Sequence, residues 1–449
     1  MKTNLFTLLL LSTGLTASAQ WVNQPISFAN PTSAALFLEA VDANTVWTAA
    51  LDLSGGDAYV PAQLARSIDG GQSWAVRALP LNATAEEQLV GLSAVSGSTA
   101  WVLVVNTEGD DSSRLLKTTD GGQNWVAQGA GVLFASPRSY ASHVHFFSAT
   151  EGMVVGESLT SGGSLEVYRT TDGGQSWTAV STPATLPNEY PIVLSPATVG
   201  NSIWLGTDEG RVFRSTDRGQ TWAVFTIGET ELTHIHFRDQ QNGLALSLNE
   251  RSTNHRLFRT NNGGQTWNPV NYSGPLHGVS ISAVPGTNQY VSVGYDEDNG
   301  DQGSSYSRDN GQTWINLENQ INHFVVDFVS PTVGWSTGFR GSIDNPRGNG
   351  LNKFGSTVLG LRGTDAALQA GLRVVPNPAE GGRSSLRVAQ PFGAAVQVRI
   401  LDVTGRLVSQ HNWTGSVPLE LNLSREKAGL YVLEVAGTNG TARQKLQVQ

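Results

Sequence analysis

The chain has 449 residues, no cysteine, 14% charged residues, 50 glycines and 12 tryptophans. Its length allows two or three domains, and the missing cysteine excludes disulfides, a thiol nucleophile and thiolate metal sites. The formal net charge is −9; the acids are concentrated between residues 20 and 371, which argues against nucleic acid as a partner.

Taken from the N-terminus, Lys2, the apolar run 5-LFTLLLLSTGL-15 and Ala17-Ser18-Ala19 read as a secretory signal, residues 1–19, cleaved before Gln20. The run is too short to cross a bilayer. No other stretch reaches 18 continuous apolar residues, so no membrane span is expected in the mature protein.

An eight-residue box then recurs six times: 67-SIDGGQSW-74, 118-TTDGGQNW-125, 170-TTDGGQSW-177, 215-STDRGQTW-222, 260-TNNGGQTW-267 and 307-SRDNGQTW-314. Its third position falls at Asp69, Asp120, Asp172, Asp217, Asn262 and Asp309, at intervals of 51, 52, 45, 45 and 47 residues. That period is the length of a four-stranded propeller blade. A strand, a turn and a second strand precede each box, as in 234-HIHFRDQQNGLALSL-248. A third strand enters the box and a fourth leaves it. The box is thus the hairpin between strands three and four.

The chemistry of the box suits a turn. A side-chain oxygen at position three can take the N–H groups that a tight reversal leaves unpaired. The glycines adopt positive φ. Trp74, Trp125, Trp177, Trp222, Trp267 and Trp314 begin the outgoing strands and can bury a large apolar face. Asn262 still offers an acceptor oxygen but would be no general base, so a structural role is expected for all six.

After the last box, 324-FVVDFVSPTVGWSTG-338 and 351-LNKF-354 repeat the first three strands of a unit, and then the pattern stops. The missing fourth strand resembles 20-QWVNQP-25 at the other end. Since a propeller must hide its edges, the sequence predicts seven blades over residues 20–355, the last closed by Trp21–Ile26.

The pattern Ser/Thr-x-Asp-x-Gly-x-Thr/Ser-Trp resembles the Asp-box, or bacterial neuraminidase repeat, of sialidases, sortilin-type receptors and photosystem II assembly-factor propellers. The resemblance implies a ligand site at the central channel on the face opposite the boxes, where the strand-two-to-three loops lie. In one such loop Asp296, Asp298 and Asp301 alternate with flexible residues, a spacing suited to a weak calcium site; a solvated acidic loop is the bland alternative, and no other cofactor is expected. The pairs His143/His145 and His234/His236 lie in first strands, where alternation puts both members on one face; burial there competes with a metal role. The Arg-Ile-Pro signature of sialidases is absent. An extracellular glycan or protein ligand therefore leads, with a sialidase- or xyloglucanase-like glycoside hydrolase as the alternative.

Residues 356–371 read as a linker, and alternating strands separated by Gly, Asn and Asp turns follow over 372–449, a small β-sandwich. This module carries 9 basic and 5 acidic side chains. "VPNPA" with Pro376, Asn377 and Pro378, "DVTGRLV" with Asp402 and Gly405, and "AGLYVLEV" with Gly429 and Tyr431 resemble closely the type A sorting domain of type IX secretion. That resemblance implies the type IX machinery as a partner and a destination at the cell surface or outside the cell, reached through the periplasm.

Overall fold

The computed structural model describes residues 21–29, 33–52, 63–81, 87–106, 113–192, 196–230, 232–247, 255–295, 300–340, 347–348, 350–355, 371–389, 392, 396–402, 407–414, 417–437 and 440–449. The predicted signal, most of the predicted linker, Asp296, Asp298 and Gly405 lie outside them. Every described element is a strand. Contacts divide the chain into two units that meet at Ser356 and Thr357.

The first unit is a seven-bladed propeller, as the repeat predicts. Six blades are four-stranded sheets in plain sequence order, each with its box between strands three and four. In blade three, for example, the strands are Ala141–Phe146, Gly152–Ser158, Leu165–Thr170 and Thr178–Val180. In the seventh, Asn322–Ser330, Val333–Arg340 and Leu351–Phe354 are completed by Trp21–Gln24. Trp21 pairs with Phe354, and Gln24 with Leu351, in antiparallel register. Trp21 is 3% exposed, and its indole N–H donates to Ser304 Oγ of blade six at 2.9 Å.

Each box closes its own hairpin. Asp172 Oδ1 accepts from Thr170 Oγ1 (2.8 Å) and from the backbone N–H of Ser176 (2.9 Å), and Oδ2 accepts from Ser176 Oγ (2.5 Å). Thr170 Oγ1 in turn accepts from the Gly174 N–H at 2.8 Å. These donors hold the Asp172 carboxyl well below the usual range, the Ser176 hydroxyl contributing most. Box five reaches the same geometry with an amide. Asn262 Oδ1 accepts from Thr260 Oγ1 and the Thr266 N–H, and Nδ2 donates to Thr266 Oγ1 at 2.8 Å. In box two Asn124 Nδ2 donates to Asp120 Oδ2 at 2.7 Å in place of the hydroxyl.

The box also receives the preceding blade. Lys117 Nζ donates to Gly173 O at 2.7 Å, Arg169 Nε to Arg218 O at 2.7 Å, and Lys353 Nζ to Gly70 O at 2.6 Å. The acceptor is the fourth box position each time. Lys117 and Lys353 also lie over Trp101 and Trp335, each 5.0 Å from the ring centroid. Trp47, Trp101, Trp204 and Trp335 are fully buried in second strands. Gly71 sits at φ +88°, and a Cβ there would come within 2.7 Å of Trp335. Glycine at this place serves both the turn and the seam between blades.

The second unit is a seven-strand sheet, nearly closed on itself. Strand Leu372–Glu380 passes between the two faces of the expected sandwich: its start pairs with Arg383–Val388, while Ala379 pairs with Val448. Leu386, Val398, Leu433 and Leu446, all fully buried, lie in its core.

Candidate functional site

The seven first strands surround a central cavity of about 420 Å³, lined by residues from every blade. Strand register aligns one column of side chains around it. The first-strand residues paired with Trp47, Trp101, Met153, Trp204, Leu244, Val291 and Trp335 are Glu39, Ser93, His145, Ala197, His236, Ser282 and Asp327. Six of these seven are polar because the inner strand of each blade has an unpaired edge, and polar side chains of one blade cap the free N–H groups of the next. Ser93 Oγ accepts from the Phe146 N–H, His236 Nδ1 from Ala283 and Ser282 Oγ from Phe328, at 3.0 to 3.1 Å. Asp327 does the same across the closing seam, accepting from the Ala40 N–H.

This geometry assigns the second histidine pair to the framework. His234 Nδ1 accepts from the Ile281 N–H at 2.9 Å, and the rings of His234 and His236 face the same side, 6.1 Å apart. An acceptor Nδ1 requires the neutral tautomer with the proton on Nε2. Burial lowers His234 to about 3 and His236 to about 4. His143 spends its Nε2 on Ile192 O at 2.8 Å, and burial lowers His145 to about 4. No group of three metal-ligating side chains occurs among the described residues.

Glu39 and Asp327 are the two carboxyls of the column. Burial in the cavity wall, and then the charge of Asp327, pushes Glu39 up to about 8. Burial raises Asp327 to about 6, opposed by the N–H groups of Ala40 and Phe328. At neutral pH the pair is a carboxylic acid beside a carboxylate. The Glu39 carboxyl has no hydrogen-bond partner among the described residues. Arg238, the one cation on the wall among the described residues, is engaged by Asp239 (Nε to Oδ2, 3.3 Å) and by Asn288.

The family resemblance implied a site on the face opposite the boxes, and the carboxyl pair lies at the other end of the channel. Glu39 and Asp327 come one residue before Ala40 and Phe328, at the end of the first strand that leads into the strand-one-to-two turn, and so on the side of the boxes. Toward the other end the channel narrows to a cavity of about 170 Å³ with largely apolar walls, among them Leu36, Phe37, Val90 and Phe324. The six box residues from Asp69 to Asp309 stay in their hairpins, spread around the rim. Asp301 turns inward: it is 3% exposed, with Oδ1 at 3.1 Å from His255 Nε2 and Oδ2 accepting from the Gly278 N–H at 3.0 Å. In the second unit Asn377 clasps the last strand, donating to Lys445 O (2.7 Å) and accepting from the Gln447 N–H (3.0 Å). Tyr431 is buried with its hydroxyl on Lys427 O at 2.7 Å, and Asp402 pairs with it in register. Sequence reasoning missed Glu39 and Asp327; aligning the seven first strands from their turn ends would have exposed the column.

Residues 107–275 match the family described as Photosynthesis system II assembly factor YCF48, and residues 373–449 match the Secretion system C-terminal sorting domain. No curated protein sequence matches the chain. Among solved structures, YCF48 bound to D1 peptide is similar at 16% identity and a TM-score of 0.52, covering 75% of this chain and 95% of that one. YCF48 from Cyanidioschyzon merolae gives the same identity, TM-score and coverage of this chain, and 99% of its own. The GH74 enzyme of Niastella koreensis has 14% identity and a TM-score of 0.46, over 92% of this chain and 71% of its own. At these identities the two YCF48 structures speak for the fold alone. The chain thus holds a seven-bladed propeller, with a BNR-type region at residues 107–275, joined to a type IX secretion sorting domain, which marks it for export to the cell surface or the medium.

Proposed function

We propose that the exported propeller is a binding module that takes a donor-rich ligand, a glycan or a protein segment, into the central cavity from the box side. The observation that carries this reading is the carboxyl pair Glu39–Asp327 on the wall of a cavity of ligand size. Its walls offer hydrogen-bond acceptors, and its one cation is already engaged. A solved structure of similar fold, YCF48 bound to D1 peptide, supports a protein segment as ligand. Titration calorimetry with glycan and peptide pools, on the parent protein and on Glu39→Gln and Asp327→Asn, tests the assignment. Affinity should fall about tenfold with Asp327→Asn, the loss expected for a buried charged hydrogen bond, and by less with Glu39→Gln, which replaces a neutral carboxylic acid. Binding unaltered by both would sink it.

One observation favours hydrolysis as a second reading. A protonated Glu39 beside an ionised Asp327 is the acid–carboxylate division of labour used in glycoside cleavage. Reducing-sugar release would then fall away below about pH 6, as Asp327 protonates, and above about pH 8, as Glu39 ionises. Glu39→Gln would abolish it.

A further inference from the structure

Away from the channel, on the loop side of blades three and four, four large apolar side chains stand clear of the surface. Tyr140 is 41% exposed, Leu159 38%, Leu186 42% and Tyr190 45%. They come from three separate segments, which the backbone knits into one shelf. The Glu157 N–H donates to Tyr140 O at 2.9 Å, Thr185 to Gly163 O at 2.8 Å and Asp208 to Tyr190 O at 3.1 Å. Underneath, the 3%-exposed Glu189 accepts from Arg211 Nε (2.9 Å), from Thr207 Oγ1 (2.6 Å) and from the Leu186 N–H (2.6 Å). A buried, fully engaged carboxylate therefore fixes the very segment that holds Leu186 and Tyr190 in water. Rigid display of apolar surface is the mark of an interaction site.

The charge on the shelf selects the partner. Glu157 is joined through its backbone to Tyr140, and Asp208 to Tyr190. Asp208 Oδ1 accepts from the Tyr190 N–H at 2.8 Å, and no ion-pair partner of either acid occurs among the described residues. Burial, and then the charge of Asp208, raises Glu157. Two neighbouring acids without a counter-ion are relieved by a cation, whereas the neutral hydroxyls of a sugar would leave the repulsion in place. Leucines suit methylene stems and apolar neighbours, and tyrosine faces attract ammonium and guanidinium groups.

We infer that this shelf docks a cationic polypeptide segment, a Lys or Arg head lying between Glu157 and Asp208 with its stem and apolar neighbours on Tyr140, Leu159, Leu186 and Tyr190. The shelf shares no residue with the channel, so the inference stands apart from the proposed function.

Fluorescence anisotropy on the full-length exported protein tests it, with a short labelled peptide of alternating lysine and leucine and a counterpart carrying glutamate in place of lysine. The lysine peptide should bind and weaken with salt, and the glutamate peptide should not bind. Glu157→Gln with Asp208→Asn should cost about tenfold in affinity, and Tyr190→Ala about fivefold. All four apolar side chains are exposed, so these variants should melt with the parent. Val126→Ala, a similarly exposed residue on the outer strand of blade two, should bind like the parent. Binding of the glutamate peptide, indifference to the shelf substitutions in protein that melts normally, or displacement of the peptide by a neutral oligosaccharide would each overturn the inference. A loss caused only by Glu39→Gln or Asp327→Asn would move the peptide to the channel and overturn it as well.

Discussion

Six blades close their last hairpin with a box, and the seventh has none. Its fourth strand arrives from the far end of the chain, yet the same place is filled. Trp21 begins that strand where a box tryptophan begins the others, and it meets Phe328 edge-on with ring centroids 6.2 Å apart, as Trp177 meets Phe146 at 6.2 Å. Only the indole N–H changes partner: Trp177 donates to its own box at Gly174 O, whereas Trp21 donates to Ser304. The seam toward blade one is also kept, through Lys353 and Gly70 O. The difference separates two jobs that the box combines in blades one to six. Turning the chain is local and can be dispensed with where no turn exists. Seating the tryptophan is kept in the blade without a box, while the neighbour's cation is received by a box carbonyl at the seams into blades one, three and four.

The comparison breaks most readily at the seventh blade. Trp21→Ala removes a buried aromatic that touches His323, Phe328 and Phe354, and should cost about 3–5 kcal/mol in urea unfolding. Trp177→Ala, at a half-buried position, should cost less. Removing residues 21–27 should be more damaging still and leave Leu351–Phe354 as an open edge prone to association, which light scattering would register. An unchanged melt after that deletion would end the idea of closure by the N-terminal strand.

Next in size is the seam. Lys353→Met leaves Gly70 O without its charged donor, at about 1–3 kcal/mol. Lys117→Met makes the same chemical change between blades two and three, where covalent continuity also joins the blades. The closing seam should therefore show the larger fall in melting temperature. Equal falls would mean that the strand from the N-terminus supplies all the additional cohesion.

The boxes themselves give a finer contrast, readable by pH. Asp69 and Asp120 titrate near 2 in the folded protein, chiefly through the donors at Ser73 and Asn124. A depressed acid contributes stability above its unfolded value of about 4, lost as pH falls toward 2. Hydrogen exchange at the Ser73 and Asn124 amides should quicken over that window. The Thr266 amide, held by the untitratable Asn262, should not. Asp172→Asn should be nearly silent and Asp172→Ala should lower the melting temperature.

The carboxyl pair on the closing seam gives a contrast of the opposite sign. Glu39 is raised, so its sign is opposite: the unfolded chain ionises near 4.5 and the folded one only near 8, and stability declines as pH rises between them. Glu39→Gln should raise the melting temperature at pH 8 and leave it unchanged at pH 4.

Much of this fold was legible because its chemistry is local and repeated. The box writes turn, period and strand order into eight residues, and Trp21 could be recognised as the missing piece because it carries the same signature. The sorting unit was legible for a similar reason: Asn377 and Tyr431 sit in short motifs. The channel pair was not legible, because Glu39 and Asp327 meet only when the ring closes. Nothing near either one in sequence marks it as acidic wall rather than solvated turn. Loop variability pointed to one end of the blades, whereas the capping of inner-strand N–H groups places polar side chains at the other. Asp301 looked like part of an open acidic loop, but His255 and the Gly278 N–H draw it inside.

The register between Trp21 and Phe354 has a consequence in time. The strand that completes the ring stands first among the described strands, and its partner is the last strand of the propeller. Joining them requires closure of nearly the whole domain as one loop, a slow and strongly non-local step. Until Leu351–Phe354 exists, the N-terminal strand has nothing to pair with, and a partly delivered chain stays an open arc. Ring closure therefore waits on the last strand of the propeller.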